Sequence, residues 1–99
     1  EKWLLVDDAT IQNRLEAIKQ LNLPIIFGET APMNAGVLMN PNYFLNSSYN
    51  KGMSICAWTW KYDATDQDAL LTATGLPNNS NNNNWGTMFK ELAARVRNP

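Results

Sequence analysis

The chain has 99 residues, of which 44% are hydrophobic and 17% charged, so it is long enough for one small globular domain and is not disordered throughout. Its formal net charge of −1 and its scattered basic residues give no electrostatic basis for binding nucleic acid or an anionic membrane. The sequence has no histidine and one cysteine, Cys56, which excludes His-dependent triads, most zinc sites and internal disulfides, and leaves carboxylates, amides, hydroxyls and aromatic rings for chemistry.

The N-terminal third of the chain predicts a helix followed by a strand. Residues 9–21 repeat apolar side chains at spacings of four, three and three, which is one face of an amphipathic helix. Asp7 or Asp8 can cap it, because a carboxylate accepts the free N–H groups and complements the helix dipole. The apolar run of residues 25–27, bounded by proline and glycine, is typical of a strand buried on both faces of a parallel sheet.

The rest of the chain predicts a helix, a strand and a helix. The second helix begins at Pro41 and runs to about Asn50, where Gly52 ends it. Residues 53–60 are rich in strand formers, and residues 85–97 carry an apolar stripe at three-four spacing. Strands that alternate with helices indicate a parallel sheet covered by helices. Two parallel strands make a poor sheet, so we expect the remaining strands elsewhere. The start at Glu1 also fits a processed or excised piece.

A polar tract over residues 78–84 precedes the last helix and is asparagine at every position except Ser80. Because such a tract buries little apolar surface, we expect a mobile loop. Asp63, Asp66 and Asp68 have the spacing of calcium ligands, but the glycine and the terminal glutamate of that pattern are missing. We therefore expect a solvated loop there and no metal site.

The candidate site residues lie at the ends of the two predicted strands. Glu29 stands one residue past the first, and Trp58 and Trp60 alternate along the second, so that both indoles point to one face. In parallel α/β architectures functional groups gather at the C-terminal ends of strands. An aromatic face stacks on a sugar ring while a carboxylate attacks or stabilises the anomeric carbon. Lys61 and Asp63 follow closely enough to reach a sugar at the edge of the cleft.

Three of these residues also have a structural interpretation. Glu29 can cap a helix or pair with a surface cation, and Trp58 and Trp60 can belong to the core, where large aromatic residues are common. Cys56, within an apolar strand, is expected to be inert packing.

Two segments resemble strands of glycoside hydrolase family 5, the cellulase and mannanase family. Leu23-Pro24-Ile25-Ile26-Phe27-Gly28-Glu29 is similar to its seventh barrel strand, which ends in Gly-Glu and carries the nucleophile. Ala57-Trp58-Thr59-Trp60-Lys61 resembles the eighth strand, whose tryptophan, here Trp58, lines the subsite at the cleaved bond. Asn84-Trp85-Gly86 opens a helix similar to the eighth barrel helix.

The resemblance implies an α/β fold in which residues 1–99 are a single segment, the C-terminal third of a TIM (β/α)₈ barrel, with about strands 7–8 and their flanking helices. It implies a secreted, retaining hydrolase of a β-1,4-linked polysaccharide, of the cellulose or mannan type, with Glu29 as nucleophile. No cofactor and no metal are implied. Thr30 and Ala31 depart from the aromatic residue and glycine that follow the nucleophile in many relatives, which leaves the subfamily and substrate open.

The acid/base glutamate of that family, on an Asn-Glu pair, has no counterpart in this sequence. We therefore expect the isolated chain to be inactive and to require the N-terminal remainder of the barrel or self-association. The expected partners are a polysaccharide or oligosaccharide and no nucleic acid or membrane. The alternative is a non-catalytic carbohydrate-binding or structural interaction module that keeps the aromatic surface alone.

Overall fold

The structure is a computed structural model that describes residues 7–34 and 36–95. None of the helices in these residues is both long and apolar enough to cross a membrane. The elements follow in chain order: α1 (Asp8–Lys19), β1 (Ile26–Thr30), β2 (Met33–Asn34), β3 (Val37–Leu38), α2 (Pro41–Asn50), β4 (Ser54–Ala57) and α3 (Trp85–Ala93).

Local sequence signals account for the helix boundaries. The Asp7 carboxylate caps α1 by accepting the Thr10 N–H at 2.7 Å, and this hydrogen bond lowers the pKa of Asp7. The second helix has the predicted limits, Pro41 and Asn50. Gly52, with φ of +77°, takes the left-handed conformation that follows many helices. The predicted order of helices and longer strands is thus present, although α1 and α3 end earlier than expected within the described residues.

The strands form two small sheets. β1 and β4 pair in parallel, with Phe27 opposite Ile55 and Thr30 opposite Ala57, and the register shifts between these pairs. β2 and β3 form a short antiparallel hairpin that the sequence pattern did not indicate. Gly36 in its turn has φ of +79°, a conformation that glycine adopts at little steric cost.

A cluster of buried apolar side chains lies between the helices and one face of the parallel sheet. Burying each large side chain contributes about 1.5–3 kcal/mol. Phe27, from the sheet, meets Phe44, from α2, edge to face with ring centroids 5.2 Å apart. The buried members are Ile11, Leu15, Met39, Phe44, Leu45, Met53, Leu70 and Trp85.

The expectation of a barrel fragment is wrong. The described residues form three helices, a parallel pair of strands and an antiparallel hairpin around a core of their own. The radius of gyration, 13.4 Å, is close to the value of about 13 Å for a compact domain of 100 residues. The strands are not buried on both faces: Ile26 is 69% exposed, and Cys56, expected to be packed, is also exposed. Among the described residues, helices cover only the face that carries Phe27 and Ile55.

The asparagine tract also differs from expectation, because two of its side chains are fully buried. The Asn78 amide donates to the carbonyl oxygens of Ala69 at 3.0 Å and Asp66 at 3.3 Å. The side-chain amide oxygen of Asn82 accepts the backbone N–H of Trp85 at 3.3 Å. Hydrogen bonds, rather than apolar burial, therefore place the tract, and composition does not reveal them. Left-handed backbone angles, which asparagine tolerates better than most residues, occur at Asn81, Asn83 and Asn84.

Gly86, in the first turn of α3, lies directly against the backbone of the preceding loop. Its N–H donates to the Asn78 carbonyl oxygen at 2.9 Å, and the Asn78 N–H donates to the Leu70 carbonyl oxygen at 2.8 Å. A β-carbon on Gly86 would lie 2.5 Å from the Leu70 oxygen and 2.8 Å from the Asn78 oxygen. It would also overlap the Asn78 nitrogen. Only glycine fits this approach.

We therefore predict that Gly86→Ala lowers the free energy of unfolding by about 1–2 kcal/mol. Overpacking costs about 1–3 kcal/mol, and backbone atoms cannot rotate away as side chains do. This outweighs the gain of up to about 1 kcal/mol in helix propensity. Gly28→Ala is the matched control, since a β-carbon there meets nothing within 4 Å. Urea unfolding of both variants measures the effect, and equal stabilities would contradict the prediction.

Candidate active site at the sheet edge

The parallel pairing of β1 and β4 brings Glu29 and Trp58 to the same edge of the sheet. The Trp58 N–H donates to the Thr30 carbonyl oxygen at 2.7 Å, immediately after the pair of Thr30 with Ala57. Glu29 is the last residue but one of β1, rather than one residue past the strand. Both side chains reach solvent, Glu29 as an exposed carboxylate and Trp58 with 51% of its surface exposed.

The backbone on either side of the Trp58–Thr59 peptide bond, which is cis, is held by hydrogen bonds. The Trp58 carbonyl oxygen accepts the indole N–H of the buried Trp85 at 3.1 Å. The Thr59 N–H donates to the Asp68 carbonyl oxygen at 2.7 Å, and the Thr59 carbonyl oxygen accepts the Leu70 N–H at 3.0 Å. Trp58 is therefore positioned by the core and by the loop that follows it, while its ring remains accessible.

The chain continues from this edge in an irregular segment whose aromatic side chains are exposed. β4 ends at Ala57, earlier than predicted, so Trp60 lies outside the strand and is 70% exposed. Tyr62, two residues on, is 54% exposed, and its ring is 6.1 Å from that of Trp60 and perpendicular to it. Sequence reasoning missed Tyr62, although the spacing of Trp58, Trp60 and Tyr62 by two residues is the signal that indicates it.

Lys61 pairs with two carboxylates of the same loop. Its ammonium nitrogen lies 2.9 Å from the Asp66 oxygen and 3.7 Å from the Asp63 oxygen. The bond to Asp66 raises the pKa of Lys61 and lowers that of Asp66, while hydrogen bonds from Thr65 lower the pKa of Asp63. Both carboxylates therefore stay ionised at neutral pH, which suits them to accept hydrogen bonds and not to donate protons. Across the described residues, no three acidic or thiol groups are arranged to hold a metal.

Asp68 links the hairpin to the segment that carries the aromatic residues. Its half-buried carboxylate accepts the Met33 N–H at 3.0 Å, across 35 residues of sequence, while its backbone oxygen accepts the Thr59 N–H. Burial raises the pKa of Asp68, and the bond from Met33 opposes this only in part. Sequence reasoning assigned Asp68 to a solvated loop, because a contact this distant in the chain leaves no local signal.

We predict that Asp68→Asn changes how stability depends on pH. A carboxyl whose pKa is raised by folding stabilises the fold below its unfolded pKa, and this contribution is lost as the pH rises through the folded value. Asparagine keeps an oxygen for the Met33 N–H but does not titrate. The difference in Tm, variant minus parent, should therefore become more positive between about pH 3 and about pH 7. Thermal unfolding across this range provides the measurement, and a constant difference would contradict the prediction.

An apolar groove of about 460 Å³ lies elsewhere, where α2, β4 and α3 meet. Its lining includes Met53, Ile55, Phe89 and Leu92. Neither Glu29 nor Trp58 contributes to it, so these two residues belong to a separate, open surface at the sheet edge.

The sequence is similar to that of a mannan endo-1,4-beta-mannosidase from Cellvibrio japonicus (strain Ueda107). The two are 23% identical over 92 residues, which cover 93% of this chain and 21% of the relative. The chain thus spans about a fifth of the length of that protein. No family model matches the chain, and no solved structure matches it. The similarity is consistent with a distant relationship to glycoside hydrolases.

Proposed function

We propose that this chain supplies the nucleophile and an aromatic sugar-binding surface to a retaining glycoside hydrolase. The observation that carries the proposal is that the parallel pairing of β1 with β4 brings two exposed residues, Glu29 and Trp58, to the same edge of the sheet. The proposed substrate is a β-1,4-linked polysaccharide of the mannan or cellulose type. The name of the mannosidase relative favours mannan. Because such polymers are too large to enter cells, we place the proposed activity outside the cell.

In the proposed reaction the Glu29 carboxylate attacks the anomeric carbon while an acid protonates the departing glycosidic oxygen. The glycosyl-enzyme bond is then broken by water, which gives its proton to the same acid/base group. Trp58 stacks on the C–H face of the sugar at the cleaved bond, Trp60 extends the aromatic surface along the glycan, and Lys61 and Asp63 bind hydroxyl groups at the edge. No metal or organic cofactor is required for this chemistry.

The acid/base group is proposed to come from another polypeptide segment or from a second copy of this chain. A general acid at neutral pH needs a raised pKa, whereas hydrogen bonds lower the pKa of both Asp63 and Asp66. Burial raises the pKa of Asp68, but its carboxylate is engaged by the Met33 N–H inside the fold. In retaining enzymes the second carboxyl group lies about 5–5.5 Å from the nucleophile. By itself the chain is therefore expected to bind sugar and not to hydrolyse it.

The second candidate is a non-catalytic carbohydrate-binding or structural interaction module. The open sheet edge favours it, because Trp58 and Trp60 are exposed at a surface rather than enclosed in a cleft. The two candidates differ in the role of Glu29, which is essential for turnover in the first and dispensable for binding in the second.

We predict that Glu29→Gln abolishes turnover of soluble β-mannan by the complete natural polypeptide that includes these residues. Loss of the nucleophile should lower kcat by on the order of 10³-fold or more, because the covalent route is removed. Glutamine has the same shape, so Tm and oligosaccharide affinity should change little. Glu16→Gln, at an exposed position of α1, is the matched control. A kcat within about tenfold of the parent value would contradict the assignment. Binding without turnover in the parent would favour the module.

We predict opposite effects for the same substitution at two tryptophans. Trp58→Ala should weaken oligosaccharide binding by about 1–3 kcal/mol with little loss of stability, because the indole is 51% exposed. The Trp58 backbone oxygen, which accepts the indole N–H of Trp85, is retained. Trp85→Ala should instead cost about 3–5 kcal/mol of stability, because that ring is fully buried. Thermal unfolding and calorimetric titration of both variants measure this. A large drop in Tm for Trp58→Ala with unchanged affinity would place Trp58 in the core.

A further inference from the structure

We infer that Trp60 and Tyr62 form a second sugar-binding subsite, which takes the next unit of the polysaccharide beyond the unit at Trp58. The inference rests on the proposed function and names a further part of the same site. The three aromatic residues occur at alternate positions of one segment, and all are at least half exposed. Such a continuous series is unusual for a surface loop, where large apolar side chains normally occur singly.

The geometry of the two rings gives this subsite a corner rather than a flat floor. Their planes are 88° apart, with centroids separated by 6.1 Å. One ring therefore offers its face as a floor and the other stands beside it as a wall. A sugar ring has C–H faces that stack on an aromatic floor and an edge that packs against a wall, so its two kinds of surface match the corner.

The corner is preorganised in the absence of a ligand. Tyr62 is flanked by two backbone hydrogen bonds to Leu71, from the Leu71 N–H to the Lys61 oxygen at 3.2 Å and from the Asp63 N–H to the Leu71 oxygen at 3.0 Å. A β-carbon at Gly75 would stand 3.5 Å from the Tyr62 ring, so the next turn lies against it. Because the backbone is already fixed, less conformational entropy is lost on binding.

Polar groups suited to hydroxyls lie in the same loop as the two rings. The ammonium group of Lys61 and the carboxylates of Asp63 and Asp66 are held together by ion pairs at the same loop. Charged groups interleaved with exposed rings favour a polyhydroxylated ligand over a protein partner, whose interface core is depleted of charged residues. The occupant is therefore a further hexose unit of the glycan that binds at Trp58.

The test is calorimetric binding of mannose and of manno-oligosaccharides up to the hexasaccharide to the complete polypeptide carrying Glu29→Gln, so that nothing is hydrolysed. Trp60→Ala and Tyr62→Ala should each weaken hexasaccharide binding by roughly 5- to 30-fold. The affinity for mannose, a single unit bound at Trp58, should stay within about twofold. Tyr62→Phe, which keeps the ring, should retain most of the affinity for the hexasaccharide.

Leu23→Ala is the control, because this 65% exposed side chain precedes β1 and lies at the opposite edge of the sheet. An equal loss for every length, no loss at any length, or no binding at all would overturn the subsite. The same measurements distinguish a failure of the subsite from a failure of the proposed hydrolase function. Length-dependent binding without turnover in the parent supports the subsite and rejects the hydrolase. Turnover that requires Glu29, together with a Tyr62→Ala effect that is the same for every ligand length, supports the hydrolase and rejects the subsite.

Discussion

The hydrogen bond from the Trp85 indole to the Trp58 carbonyl oxygen connects the core of this protein to its candidate site. Trp85 is fully buried at the start of α3, with its ring 6.0 Å from that of Phe89. A buried indole N–H requires an acceptor, since leaving it unpaired costs about 1–3 kcal/mol. The acceptor here is the residue that presents an exposed ring at the sheet edge. The packing of α3 against the core and the position of the Trp58 backbone are therefore coupled through this hydrogen bond. A substitution that displaces one of them is expected to displace the other.

Features of the fold that depend on neighbouring residues were predictable from the sequence. The cap at Asp7 and the start of α2 at Pro41 follow from rules that act within one helical turn. Features that depend on distant residues were not. An apolar run does not reveal whether one or both faces of its strand are covered. Ile26 is exposed because, in the part of the chain that the structure describes, helices lie on only one side of the sheet. Asparagine composition likewise does not distinguish a solvated tract from one in which Asn78 and Asn82 satisfy buried carbonyl groups.

The position of the candidate site was predictable from the sequence, but only some of the residues that form it were. Parallel strands align their C-terminal ends, so residues at the ends of two predicted strands were expected to meet, and Glu29 and Trp58 do lie at one edge. Their chemical roles stay predictions. The Asp68 bond to Met33 and the pairing of Tyr62 with Trp60 depend on how the loop after β4 folds back. That path follows from backbone hydrogen bonds, which carry no residue-specific pattern.

The open face of the parallel sheet has a further consequence through Cys56. This thiol is exposed and is the only one in the sequence. Within these 99 residues it has no partner thiol, so in an oxidising medium a disulfide formed by the 99-residue chain joins two molecules. Such a bond would hold two copies together through the same sheet that carries Glu29 and Trp58. Covalent dimers formed without reductant are thus distinct from association through side-chain packing, and a Cys56→Ser chain separates the two. The thiol is also a unique point for attaching a spectroscopic label two residues before Trp58.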